Sequence, residues 1–163
     1  MGWRPAPTDA VIMMQRVVIL GGGTAGTLTA NRLQREIGGH AAIAVVDRDD
    51  DHWYQPGLLF VPFGRARPAT IVRSRARQLR PGIAYHHRSP VDHVDIGQRR
   101  VHLDNGTVLP YEALVVATGA ALLPGETDGL AEAMAQGKAF TFYEPAGSPA
   151  VGGGRFMTLS TRV

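Results

Sequence analysis

Residues 16–33 read RVVILGGGTAGTLTANRL: the apolar run Val17–Leu20 leads straight into three glycines, then Thr24, Ala25 and Gly26. A short run rich in β-branched residues is the pattern of a buried strand. Thr24 to Ile37 reads as a helix, with Leu28, Leu33 and Ile37 near one face and Gly38-Gly39 at its end. Ala42 to Val46, AIAVV, is a second buried strand. A strand–helix–strand unit of about 30 residues opens a parallel α/β sheet. Glycines at such a strand-to-helix turn serve a cradled phosphate, or a tight turn with nothing bound.

The spacing favours the phosphate. Gly21-x-Gly23-x-x-Gly26 is the dinucleotide fingerprint in its proper place, after a strand and opening a helix. Gly21 allows the turn, Gly23 lets a pyrophosphate approach the backbone, and Gly26 lets helix and strand pack closely. Ala30 keeps that contact small one turn later. The helix N-terminus adds free N–H groups and partial positive charge. Asp47 ends the second strand, 21 residues after Gly26, where a carboxylate accepts hydrogen bonds from an adenosine ribose. The motif alone does not separate FAD from NAD, since both carry an ADP moiety.

Beyond Asp47 the pattern changes. Asp47 to Gly64 reads as a long loop, and Arg65 to Arg80, with six arginines, as room for a helix between Pro68 and Pro81. Ile83 to His87 is a candidate strand. Val91, Val94, Ile96, Val101 and Leu103 then alternate with polar residues, broken at Gly97-Gln98 and at Asp104-Asn105-Gly106. Asn-Gly between alternating segments marks a hairpin whose two turn residues both take φ > 0, so an antiparallel meander is expected. Leu114 to Ala117 returns to a buried strand, and Leu130 to Met134 suits a short helix. Residues 1–14 read as a loose extension without signal-peptide character. The segment PAGSPAVGGGR reads as a linker, and RFMTLSTRV as the start of another strand.

Composition narrows the functional classes. The chain has 163 residues, 44% hydrophobic and 19% charged, as in a globular domain. No apolar run is long enough to span a membrane. Sixteen of the 17 basic residues are Arg and the net charge is only +3, weak grounds for a nucleic-acid partner. With no aromatic residue between them, Arg73, Arg77 and Arg80 read as a solvated helix face. The absence of cysteine removes thiolate catalysis and Cys-based metal sites from this chain. His86 and His87, with His93 and His102 nearby in sequence, are the metal candidates, but adjacent residues on a strand point to opposite faces and cannot easily chelate one ion, so no metal site is expected. The run Asp49–Asp51 reads as a solvated loop, lacking the calcium-loop spacing. Trp53 and Tyr54 suit either flavin stacking or anchoring of the loop. No G-x-S-x-G elbow occurs.

The stretches RVVILGGGTAGTLTANRL, VVDRDDDHWYQPGLLFVPFG and YEALVVATGA, in this order, resemble the N-terminal flavin domain of sulfide:quinone oxidoreductases. More broadly they resemble the flavoproteins with two dinucleotide domains, which include type II NADH dehydrogenases. YQPGLLFVPFG favours the sulfide:quinone branch, and FTFYEP near Phe140 is similar to the segment before the second nucleotide domain there. The resemblance implies a Rossmann-like FAD/NAD(P)-binding α/β fold, a parallel sheet plus an antiparallel meander, over residues 15–145. Residues 146–163 would be the linker and the beginning of a second nucleotide domain. It implies FAD as cofactor, ahead of NAD(P), with Gly21, Gly23, Thr24, Ala25 and Gly26 around the pyrophosphate. Asp47 would hold the ribose with Arg48 beside it, Val91 would meet the adenine through its backbone, and Thr118 and Gly119 would close over the cofactor. Gln55 and Pro56 would fall in the loop approaching the flavin.

Such enzymes reduce FAD with sulfide and pass electrons to quinone. They are longer, and their redox cysteines and membrane-binding helices have no counterpart here. The chain therefore reads as the truncated front part of such an enzyme, with no catalytic residue of its own, an open sheet edge and marginal stability. Its default location is the cytoplasm. The alternatives are a non-catalytic dinucleotide-binding fragment and part of a type II NADH dehydrogenase-like enzyme. The meander disfavours a small NAD-dependent dehydrogenase.

Overall fold

A computed structural model describes residues 14–143. The linker and the final strand expected toward the C-terminus lie outside these residues, as does the N-terminal extension but for Met14. The chain divides into two units. Within the described residues the first comprises 14–49 and 78–118, and the second 50–77 and 119–143.

The first unit is built on the strand–helix–strand pattern. Strand β1 (Gln15–Leu20), helix α1 (Thr24–Ile37) and strand β2 (Ala41–Val46) fall where the apolar runs place them. The helix ends at Gly38 in right-handed conformation, φ −60°, its N–H donating to the Gln34 carbonyl at 3.2 Å. Its inward face runs through Gly26, Thr27, Ala30, Leu33 and Ile37. Leu28, expected on that face, is 67% exposed. Two helical steps from Gly26 turn a side chain through about 200°, to the opposite side.

The second unit, Asp50 onward, corrects two expectations. The segment expected as a long loop holds strand β3 (Asp51–Trp53) and the turn α2 (Gln55–Leu58). The expected arginine-rich helix is a single turn, α3 (Pro68–Ile71), followed by strand β4 (Val72–Ser74), which pairs antiparallel with β3. The turn stops at the β-branched Ile71–Val72 step, where Val72 is extended at φ −109°, ψ 142° and pairs with Trp53. Arg73, Arg77 and Arg80 thus share no helix face. Arg75 is buried instead, its guanidinium donating to the Asp51 carbonyl at 2.7 Å. The acidic run is likewise no free loop: Asp50 Oδ1 accepts the Ala76 N–H at 2.9 Å. Gly57 is needed where α2 meets α3, since a Cβ there would lie 2.8 Å from Ile71 Cγ2.

Returning to the first unit, the chain forms β5 (Ala84–His86), the meander β6 (Val91–Asp95), β7 (Arg100–Leu103) and β8 (Val108–Pro110), then β9 (Ala113–Val116). The main sheet has the order β5-β2-β1-β9, all pairs parallel. One face carries α1 over Val17, Ile19, Ile43 and Val45. The other carries the meander, with Val101, Leu103 and Tyr111 against Val18, Leu20 and Val46. In the β7–β8 turn only Gly106 takes positive φ, 82°. Asn105 acts through its side chain, Oδ1 accepting the Thr107 N–H at 2.9 Å. The Gly106 N–H donates to the Leu103 carbonyl at 3.0 Å, so the connection is a three-residue loop with a left-handed glycine rather than a two-residue turn. The expected helix over Leu130 to Met134 is present, in the second unit, as α4 (Leu130–Ala135).

Candidate dinucleotide-binding site

The three glycines of the fingerprint have different surroundings. Gly21 takes φ +92°, and a Cβ on it would overlap the Ala117 carbonyl and lie 2.9 Å from Thr118 Cα. A Cβ on Gly26 would overlap the Gly21 carbonyl oxygen. Both are required by close packing of backbone on backbone. Gly23 differs: it has φ −65° and ψ −167°, and a Cβ there would meet nothing within 4 Å. No fold contact calls for glycine at this position, so the space above it is a cradle that a Cβ would fill.

The same place gathers hydrogen-bond donors. The first four N–H groups of a helix have no intrahelical partner. The Thr27 N–H is satisfied by the Gly23 carbonyl at 2.9 Å, but the backbone N–H groups of Gly23, Thr24, Ala25 and Gly26 find no carbonyl among the described residues. Thr24 and Ala25 are exposed. These donors and the positive end of α1 suit an anionic, phosphate-bearing ligand.

Two side chains fix the loop. Asp47 Oδ2 accepts the Gly22 N–H at 2.5 Å, and Oδ1 accepts the Arg48 N–H at 2.7 Å. Thr27, 7% exposed, donates its hydroxyl to the Gly22 carbonyl at 2.8 Å. Gly22 is thus held at both its N–H and its carbonyl, on two successive peptide groups. Sequence reasoning missed Thr27, whose one available signal was a hydroxyl on the inward face of α1. It also missed Glu112, which accepts from the backbone N–H of Arg16 at 2.6 Å and from its Nε at 3.1 Å. That bidentate pairing with the Arg16 guanidinium lowers the Glu112 carboxyl to about 2.

Of the residues expected at the site, the first unit holds Gly21, Gly23, Thr24, Ala25, Gly26, Asp47, Arg48, Val91 and Thr118. Asp47 also meets the segment before Val91, its carbonyl accepting the Ser89 N–H at 3.4 Å. Arg48 is 85% exposed, with Nε 3.7 Å from Asp49 Oδ2. Gln55, Pro56 and Gly119 belong to the second unit. Among the described residues, no helix is long and apolar enough to cross a membrane.

Comparison with known proteins agrees with this geometry. Residues 15–149 match the family described as pyridine nucleotide-disulphide oxidoreductase, whose members bind FAD and NAD(P). The chain is 28% identical over 127 residues to the mitochondrial sulfide:quinone oxidoreductase of Mus musculus, spanning 78% of this chain and 28% of that one. Among solved structures it resembles the sulfide:quinone oxidoreductase of Aquifex aeolicus, with TM-score 0.73 and 19% identity over 85% of this chain and 31% of that one. It also resembles a NAD-dependent persulfide reductase from A. fulgidus, with TM-score 0.67 and 25% identity over 83% of this chain and 26% of that one. The chain therefore spans less than a third of each of these relatives. With its strand–glycine–helix cradle, its parallel sheet and its meander, and with the family match covering most of its length, the chain belongs to the pyridine nucleotide-disulphide oxidoreductase family.

Proposed function

We propose that the glycine cradle holds the ADP half of FAD, and that the chain is the flavin-binding front part of an oxidoreductase of the sulfide:quinone type. The observation that carries this reading is the open space over Gly23, beside unpaired helix N–H groups and a carboxylate fixed 2.5 Å from the Gly22 nitrogen. The similarity to the murine sulfide:quinone oxidoreductase supports the sulfide:quinone type, and the choice of FAD rests on the resemblance of the glycine, YQPGLLFVPFG and ATG stretches to flavin domains. When bound, FAD supplies the electron transfer between donor and acceptor. The chain's own residues bind and orient. The amides of Gly23, Thr24 and Ala25 face the pyrophosphate, Asp47 accepts from the ribose, and Thr27 keeps the Gly22 peptide in register. Arg48 lies beside the ribose, Val91 meets the adenine through its backbone, and Thr118 with Gly119 closes over the cofactor. Gln55 and Pro56, which open the turn α2, are assigned to the segment facing the flavin. Sulfide and quinone are the proposed donor and acceptor of the complete enzyme. The chain has no cysteine, so thiol steps of sulfide oxidation have no side chain here.

The test is a visible spectrum of the purified chain after incubation with FAD and gel filtration. Flavin absorbance that co-elutes with the protein supports the reading. A colourless protein that instead binds NADH or NADPH in the same titration refutes it.

A further inference from the structure

A pair of imidazoles on the meander lies outside the glycine cradle. His93 of β6 and His102 of β7 are direct cross-strand partners in the antiparallel register. Their rings stack with centroids 4.2 Å apart and planes 10° from parallel. Val101 and Leu103 flank His102 and are buried in the core, so strand alternation turns His102 to the outer face. The ladder shifts between Val91 and His93, leaving Asp92 as the extra residue of a bulge. Bulges re-aim side chains, and here Asp92 Oδ2 lies 2.9 Å from His93 Nδ1. An ionised carboxylate only accepts hydrogen bonds, so Nδ1 carries the proton, and in the neutral ring Nε2 keeps the lone pair.

We propose that His93 and His102 form a two-imidazole site for a divalent transition-metal ion of the zinc, nickel or copper type. Asp92 holds the His93 ring in the ligating tautomer. Imidazole suits these ions, and a carboxylate on the far ring nitrogen orients the ligand and raises its basicity. Metal–nitrogen bonds of about 2.0–2.1 Å at tetrahedral or square angles bring two ligating nitrogens to roughly 3–3.4 Å. In the stack the in-plane lone pairs run side by side, and rotation of the exposed His93 side chain out of the stack makes them converge on one ion. Among the described residues, no group of three or more His, Cys, Asp or Glu side chains is arranged to hold a metal, so water completes the coordination. Farther along the same two strands the Asp95–Arg100 pair brings one charge of each sign, and on the β8 side His102 is faced by Val108. Metal held across the pair joins β6 to β7 and stabilises the folded meander by mass action.

Nickel chloride is the probe, titrated calorimetrically into the full 163-residue chain, with Tm recorded in parallel. One ion per chain is expected, with a Tm that rises with nickel concentration. H93Q and H102Q should each weaken binding by about tenfold or more, and D92N by about tenfold. The H86Q/H87Q double variant should stay within about twofold of the parent, since that pair cannot share one ion. Unchanged binding in H93Q or H102Q, loss in H86Q/H87Q instead, or neither heat nor Tm shift up to millimolar nickel would overturn the proposal.

Discussion

Substituting Gly23 by alanine separates a ligand contact from a fold contact. Gly23 sits at φ −65°, ψ −167°, a conformation open to any L-residue, and its Cβ would enter empty space. At a helix N-cap, alanine is poorer than glycine by up to about 1 kcal/mol. The reduced freedom of the unfolded chain offsets this by about 0.4–1 kcal/mol. The net change in stability is therefore within about 1 kcal/mol, or about 4 °C in Tm for a chain of this size. Binding is affected differently, because the methyl group occupies the space of the pyrophosphate and pushes it off the helix amides. A hydrogen bond to a charged group contributes about 1.5–3 kcal/mol, so losing one weakens FAD binding by about 10- to 150-fold. The assay is quenching of flavin fluorescence on titration, beside a thermal melt without ligand. Unchanged affinity, or a Tm lowered by about 10 °C or more, would refute the division of roles among the glycines.

Gly26→Ala should act in the opposite sense: its Cβ collides with the Gly21 carbonyl, so about 3 kcal/mol or more of stability is lost, visible in a urea melt even without ligand. Thr27→Val should speed hydrogen exchange at the Gly22 amide and weaken FAD binding by about tenfold, whereas Thr27→Ser restores both; equal behaviour of the two variants would remove the hydroxyl from the account. The Glu112 carboxyl is held at about 2, below its ordinary 4.5, by the Arg16 guanidinium. An acid with a lowered folded pKa stabilises the fold fully above 4.5 and loses that contribution as pH falls toward 2. The Tm difference between the parent and E112Q should close over that window, and a difference independent of pH would exclude the pair as its source. Strand β9 has no neighbour on its outer side among the described residues, and Val116 is 69% exposed, so V116K should reduce concentration-dependent association in sedimentation.

The parts of the fold that could be read from sequence are those where one signal dominates. Val17–Leu20 is buried on both faces, and Ile43, Val45 and Val46 are buried in the second strand, so these apolar runs named the strands directly, and α1 fell between a glycine cluster and Gly38. The meander showed through its alternation. What escaped was set by distant pairing. The three residues of β3 are too few for a period, and Val72–Ser74 becomes a strand only because Asp51–Trp53 lies beside it. In the site, spacing indicated the glycines and Asp47 but not that Asp47 grips Gly22, because that bond spans two strand ends brought together by the sheet. Asn105 shows a related limit: the Asn-Gly signal located the turn, while its side-chain hydrogen bond decided the turn's form.

The contact of Gly21 with Ala117 and Thr118 has a consequence for the newborn chain. The cradle lies in the first strand–helix turn, yet one of its walls is the end of β9, the last strand of the same sheet among the described residues, nearly a hundred residues later. During N-to-C synthesis the glycine loop leaves the ribosome early, without the backbone that fixes Gly21. Only after Thr118 has emerged can β9 dock beside β1 and complete the turn. A cofactor that needs this turn therefore joins the chain late, and the flavin signal of a stalled nascent chain should switch on with the length at which β9 clears the exit tunnel.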